Sequence, residues 1–187
     1  SFRGAADGIA LRLKYSDLDL HQELMPESAV GQVIFELLEQ LRVESLVEVN
    51  HPGSKGNIIH RYRRWCEDFC NSDMIENHIG LLVYTIAQVV WARLFGLPVS
   101  EATEGLIEPQ RMMLAPHIGT FLGGMRKHRY DQQLFAEDAL GIVGVIDELA
   151  TDMDDEDDDD KKNKRKAEEA VAGFNLILYP DADSEGE

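Results

Sequence analysis

The sequence lacks most of the residue patterns that mark a catalytic or cofactor site. It has no GxxxxGK[ST] phosphate-binding loop, no HExxH zinc helix and no GxSxG nucleophile turn. Its only cysteines, Cys66 and Cys70, lie four residues apart. Two cysteines cannot build a disulfide framework, and two reduced thiols are the simplest interpretation. Enzymes that depend on these motifs are therefore disfavoured.

A membrane-spanning run is also missing. The most apolar section, Ile79 to Phe95, is shorter than the roughly 20 residues that a span needs, and it contains Gln88 and Arg93. We therefore expect it to form a buried core helix.

Positive charge is scarce. The 187 residues carry 18 Lys+Arg against 35 Asp+Glu, a formal net charge of −17. Residues 1–150 contribute −8 and residues 151–187 contribute −9, so the last fifth of the chain holds half of the net charge. This acidity repels nucleic acid and anionic membrane, and neither is expected as a partner. Residues 152–160 hold eight acids in nine positions and precede the basic run 161–166, which predicts a solvated linker.

What the sequence does contain is helical periodicity. No alternating strand pattern occurs before residue 170, which predicts an all-α fold. We expect a single domain of five to seven helices over residues 1–151, with central buried helices, followed by an acidic disordered linker over 152–187. The short β-prone run Phe174 to Tyr179 has no partner in view.

Capping and breaking residues set the expected helix ends. Ser28 and Asn57 are predicted to cap the second and third helices, and Asp131 the last. Residues 51–56 read as a plain turn, and 17–26 as a connector that holds His21. Pro109 and Pro116 are expected to divide 100–130 into one short and one longer helix.

The segment Phe35 to Val47 is apolar nearly all round as a helix, which is typical of a buried helix. Arg42 and Glu44 nevertheless project from this apolar surface, and buried charges are costly unless they are paired. Glu39 lies three residues before Arg42 and can pair with it inside the helix.

A polar network is therefore expected around this helix. Arg3 and Asp7 are spaced to pair across one helical turn, and Arg3 is also the candidate partner of Glu44. The network either fixes the register of the helices or binds a partner, and we favour the first. Its candidate members are Arg3, Asp7, His21, Glu39, Arg42 and Glu44.

Chemical roles for these residues find little support in their spacing. A zinc site could combine Cys66 and Cys70 with a distant histidine. Glu39 and Glu44 could serve as an acid/base pair, but they lie about 140° apart on one helix and cannot face one substrate. No residue is therefore assigned a catalytic, cofactor-binding or metal-binding role.

Several segments resemble the amino-terminal region of the CobT subunit of aerobic, ATP-dependent cobaltochelatase. The most specific is the run EQ-x-RVE at 39–44, in Glu-Gln-Leu-Arg-Val-Glu. The family's alanine after EQ is Leu41 here, and Ser45-Leu46-Val47 stands after RVE, so a divergent CobT-like protein is the other candidate. The supporting matches lie at residues 3–7, 20–21, 25–26, 115–119 and 133–136.

The resemblance implies a multi-subunit machine for cobalamin biosynthesis. In such machines a CobS-like AAA+ ATPase holds the ATP, a large CobN-like subunit binds the corrin ring, and cobalt is the substrate. The resemblance also implies a von Willebrand factor A type domain after the acidic linker, with a divalent metal site. These 187 residues would then be a fragment without its own cofactor.

The resemblance therefore predicts a non-catalytic interaction domain that couples the ATPase to the chelating subunit. The alternatives are an adaptor of an AAA+/von Willebrand factor A pair that remodels another protein, and a small enzyme in its own right. A cytoplasmic location and possible homo-oligomers are also expected.

Overall fold

The computed structural model describes residues 2–48, 50–151, 159–174 and 176. These residues form eight α-helices and two short 3₁₀ turns, with no strand, which confirms the all-α prediction. The turns span Asp73–Glu76 and Ala172–Phe174. The helices are α1 (Phe2–Tyr15), α2 (Leu18–Glu23), α3 (Ala29–Ser45), α4 (Pro52–Cys70), α5 (His78–Phe95), α6 (Glu101–His128), α7 (Gln132–Thr151) and α8 (Asp159–Ala170).

The helix α3 lies at the centre of the fold. Every residue from Val33 to Glu44 is buried, and the helix packs against α1, α5, α7 and α8. The apolar side chains on several sides of α3 therefore pack against these helices, as expected for a helix that is apolar nearly all round.

The second central helix is α5, which packs against α3, α6 and α8. The apolar run Ile79 to Phe95 was expected to be too short for a membrane span, yet the complete helix His78–Phe95 is a candidate span by length and composition alone. Because 67% of it is buried inside this fold, it serves as a core helix here. It ends at Gly96, which adopts the left-handed conformation (φ 65°) that favours glycine at a helix end.

The expected break in residues 100–130 does not occur, because α6 runs without interruption through Pro109 and Pro116. Each proline removes one backbone hydrogen bond and crowds the carbonyl four residues before it. Tertiary packing outweighs this cost, since α6 packs along α5 and α7. The buried side chains on its inner side include Ile107, Leu114, Ile118, Leu122 and Met125.

Two of the three predicted caps are confirmed. Ser28 Oγ accepts a hydrogen bond from Gly31 N at 3.2 Å, and Asp131 Oδ1 accepts one from Leu134 N at 3.0 Å. The Asn57 cap is wrong, because α4 begins five residues earlier at Pro52 and includes most of the expected turn. Proline suits the first position of a helix, where its missing N–H has no partner to lose.

Helical packing continues beyond residue 151, where the predicted helical domain ended. The helix α8 packs against α3 and α5, and Trp65 Nε1 donates a hydrogen bond to the Ala170 carbonyl at 2.8 Å. Apolar residues follow the charge run at helical spacing, and all of them are buried. They are Ala167, Ala170, Val171 and Phe174. Residues 152–158 and all of the β-prone run after Phe174, apart from Leu176, lie outside the described residues.

The close approach of α1 to α4 yields a testable prediction. A methyl group at Gly4 would lie 2.5 Å from the Asn57 carbonyl oxygen and 2.7 Å from Arg61 Cβ. We expect Gly4→Ala to lower the free energy of unfolding by about 1–3 kcal/mol in urea denaturation, because the backbone of α4 must shift.

Gly119→Ala in α6 is the matched control, since no atom lies within 4 Å of the added methyl group. It should raise the free energy of unfolding by roughly 0.5–1 kcal/mol through its higher helix propensity. Equal effects of the two variants would contradict the close packing of α1.

Candidate functional site

The structure buries four of the six residues that were expected to form a polar network. His21, Glu39, Arg42 and Glu44 are buried, whereas Arg3 is exposed and forms no side-chain hydrogen bond or ion pair within the part of the chain that the structure describes. Asp7 pairs with α4 and not with Arg3: it accepts hydrogen bonds from Asn57 Nδ2 at 2.9 Å and from Ser54 Oγ at 3.3 Å.

The predicted pair of Glu39 and Arg42 is present and bidentate. Arg42 Nε and Nη2 each donate to a different carboxylate oxygen of Glu39 at 2.8 Å, and both side chains are almost fully buried. Ser16 Oγ also donates to Glu39 Oε1 at 2.8 Å. Planar bidentate pairing of this kind offsets much of the cost of burying both charges.

The Arg42 guanidinium also joins the ends of two other helices. Nη2 donates to the Tyr15 carbonyl at 2.9 Å, where α1 ends, and Nη1 donates to the Arg129 carbonyl at 3.1 Å, where α6 ends. Arg129 in turn donates to the Leu94 carbonyl near the end of α5 at 3.3 Å. Cationic groups at helix carboxyl ends satisfy unpaired carbonyls and oppose the partial negative charge there.

Glu44 pairs with Arg61 of α4, not with Arg3 as expected. Arg61 is buried and also donates to the Gly4 carbonyl at 3.2 Å. Gln40 Nε2 donates to Glu44 Oε1 at 2.8 Å and to the Gly8 carbonyl at 3.0 Å. Burial raises the pKa of the Glu44 carboxyl above its ordinary value of 4.5, although Arg61 and Gln40 act in the opposite direction.

His21 belongs to a separate buried cluster around Glu36. Its Nε2 lies 2.6 Å from Glu36 Oε1, and Arg12 Nη2 donates to Glu36 Oε2 at 3.1 Å. The His21 ring stacks on Phe35 with 4.6 Å between ring centroids. The cluster fixes both α1 and α2 on α3.

Four network members escaped prediction, namely Arg12, Glu36, Gln40 and Arg61. A signal for three of them exists in the spacing of the two helices. Gly4, Gly8 and Arg12 recur every four residues on α1, and 36, 40 and 44 do the same on α3. Two such rows of polar and small residues indicate two helix faces that can meet. No comparable signal identifies Arg61 among its arginine neighbours.

The arrangement of these buried side chains suits a structural role. Each buried carboxylate of α3 that belongs to the network has an arginine partner. The pairs with Arg12 and Arg61 hold α1 and α4 in place, and the contact of His21 with Glu36 holds α2. Among the described residues, no group of three or more His, Cys, Asp or Glu side chains could hold a metal ion. The side chains of the network are engaged with one another and with backbone carbonyls.

The buried pair yields a prediction for Arg42→Ala. The variant leaves the Glu39 carboxylate buried and removes the donor for two helix ends, so we expect a loss of about 3–5 kcal/mol in the free energy of unfolding. Arg111→Ala, which breaks an exposed pair with Glu108, should cost no more than about 1 kcal/mol. Thermal unfolding of Arg42→Ala within a degree of the parent would contradict the role given to this pair.

A second prediction follows from the raised pKa of Glu44. The folded state holds this proton more tightly than the unfolded chain, so the stability it contributes is complete below about pH 4.5 and is lost as pH rises through the folded pKa. In urea denaturation at several pH values, Glu44→Gln should gain stability relative to the parent as pH rises.

The exposed Glu48 is the control, because its pKa is shifted in the opposite direction to that of Glu44. The Tyr15 hydroxyl and then Lys14 lower the pKa of its carboxyl, so its contribution is present above about pH 4.5 and is lost as pH falls. Glu48→Gln should therefore lose stability relative to the parent as pH rises. The same pH trend in both variants would contradict the assignment for Glu44.

Comparison with known proteins gives a match to the chain. A family model described as "Cobalamin biosynthesis protein CobT" matches residues 1–175 of the 187. No curated protein and no solved structure matches the chain. The match covers the EQ-x-RVE run and ends one residue after the buried Phe174. The chain belongs to the CobT family of cobalamin biosynthesis proteins.

Proposed function

We propose that this chain is the non-catalytic interaction domain of a cobaltochelatase CobT subunit. In this role it couples a CobS-like AAA+ ATPase to a CobN-like subunit during ATP-dependent insertion of cobalt into a corrin ring. The observation that carries the proposal is the family match, which spans all of the packed helices. ATP is held by the partner, and a divalent metal by a carboxy-terminal domain outside these residues. Cobalt is substrate, and the complex is cytoplasmic.

The state of the buried ionisable groups supports a coupling role. Glu36, Glu39 and Glu44 each contact an arginine, and all three are nearly inaccessible to solvent. A general acid or base must reach a substrate within hydrogen-bond distance. Groups that are enclosed and paired in this way are suited to fixing the arrangement of the helices.

The outer side of α1 supports the choice of docking surface. Phe2, Ile9 and Leu13 are 89%, 46% and 65% exposed, and they share one face of the helix with Ala6. The opposite face, with Gly4, Gly8 and Arg12, is buried. Because exposed apolar side chains clustered on one face mark protein interaction sites, we propose that the ATPase subunit binds here.

The proposal predicts the behaviour of a double variant, Ile9→Asp with Leu13→Asp. Two charges on this face should weaken binding to the purified ATPase subunit by roughly tenfold or more, because two aliphatic side chains lose burial. Co-purification and the rate of ATP-dependent cobalt insertion by the reconstituted complex are the measurements. The fold should persist, since both side chains are exposed.

Met112→Asp is the matched control, because Met112 is 67% exposed but lies on α6. It should leave both measurements unchanged. Unchanged cobalt insertion after deletion of residues 1–174 would contradict the proposal. Binding to the ATPase without any effect on cobalt insertion would indicate the adaptor alternative instead.

A further inference from the structure

The side of α6 that points away from the fold presents an uncharged row of residues. Six of them recur at helical spacing and all are exposed, namely Gly105, Pro109, Met112, Pro116, Gly119 and Gly123. We call this row the outer band of α6. It is about 27 Å long at 1.5 Å per residue, and Met112, at 67% exposure, is its largest apolar side chain. The buried residues of α6 lie on the opposite side, so packing within the described residues leaves the band uncovered.

The fold itself gives no reason for the composition of this band. A Cβ atom added at Gly105, Gly119 or Gly123 would have no atom of the described residues within 4 Å. Glycine and proline nevertheless weaken the interior of a helix more than any other residues. Because positions without long side chains let a second helix approach the backbone closely, a contact outside the chain accounts for this choice.

The band is symmetric about residue 114. Its members fall into pairs that lie equally far from this residue: Gly105 with Gly123, Pro109 with Gly119, and Met112 with Pro116. A twofold axis at the level of residue 114 sets each member opposite its pair on an antiparallel second copy. The Pro109 ring of one copy then meets the flat surface at Gly119 of the second copy. The band is therefore complementary in shape to itself.

The charges beyond the band continue this symmetry. Glu101 and Lys127, both exposed, lie one turn beyond its two ends and equally far from residue 114. In an antiparallel pair, Glu101 of each copy faces Lys127 of the other, whereas a parallel pair would bring like charges together. Residues 101–129 carry three acidic and four basic residues, in a chain whose net charge is −17. Two copies therefore avoid their general repulsion by approaching through α6.

We propose that two copies of this chain pair antiparallel through the outer band of α6. The contact is isologous, so each substitution in the band acts twice. The helix α1 packs on α3 and α4, whereas α6 packs on α5 and α7, so the two exposed faces belong to different parts of the fold. The inference goes beyond the proposed coupling role and does not depend on it.

The first test is sedimentation equilibrium of the whole chain over a range of concentrations. We expect a reversible monomer–dimer equilibrium with a dissociation constant of roughly 10–100 μM, because a single pair of helices buries little surface. Below this range the chain is a monomer, and dilute unfolding or ATPase-binding experiments report single chains. A chain that stays monomeric well above this range would overturn the proposal.

Variants of equal charge locate the contact. Gly119→Glu places a carboxylate where Pro109 of the second copy packs, and should raise the dissociation constant at least roughly thirtyfold. Met112→Asp should also dissociate the pair, while ATPase binding by dilute single chains is unaffected. The control is His117→Glu, also exposed on α6 but about 160° round the helix from Gly119, and it should leave the constant unchanged. Circular dichroism of dilute protein checks that each variant folds.

Equal dissociation constants for Gly119→Glu and His117→Glu would overturn the use of this face. A Gly119→Glu variant that loses ATPase binding in dilute solution would assign the band to the ATPase and overturn the proposal as well.

Charge exchange tests the antiparallel register. Glu101→Lys and Lys127→Glu each set like charges opposite one another at both ends of the pair, and each should weaken pairing roughly tenfold at low salt. A mixture of the two variants restores opposite charges at both ends and should pair about as tightly as the parent. Unchanged pairing of Glu101→Lys alone, or no recovery in the mixture, would overturn this register.

Discussion

Neutralisation of the carboxylates on α3 is the constraint on which the arrangement of the other helices depends. Glu36, Glu39 and Glu44 are buried in one helix, and only Glu39 has its arginine on the same helix. The arginines of Glu36 and Glu44 come from α1 and α4. An unpaired buried carboxylate is strongly destabilising, so α3 can be buried only when both of these helices are docked. Charge pairing thus couples the docking of three helices.

This coupling also explains the small residues of α1. Gly8 lies against the paired Arg61 and Glu44 side chains, and an added methyl group would come within 2.7 Å of both. The Gly4 carbonyl accepts a hydrogen bond from Arg61, which is possible because α1 lies so close to α4 at this point. Glycine lowers helix propensity by about 1 kcal/mol, a cost offset here by the contacts that a bare backbone permits. The composition of α1 is therefore a consequence of the charges on α3 and α4.

The sequence predicted the features that depend on local chemistry. The all-α class, the Ser28 and Asp131 caps and the pair of Glu39 with Arg42 each rest on residues close together in the chain. The errors concern choices that only tertiary packing makes. Arg61 is one of three arginines within four residues, and nothing local distinguishes it from its exposed neighbours. Likewise α6 tolerates two prolines because α5 and α7 hold it.

The position of the EQ-x-RVE run bears on where partners bind. Gln40, Arg42 and Glu44 of the EQ-x-RVE run are all buried, and they bond to α1, α4 and the end of α6. Residues that are buried in this way stabilise the fold and cannot themselves contact another subunit. A surface that recognises a partner must therefore lie outside this run, on side chains whose identity packing does not dictate. The exposed face of α1 meets this condition, and the position of α1 is fixed by the buried charges of α3 and α4.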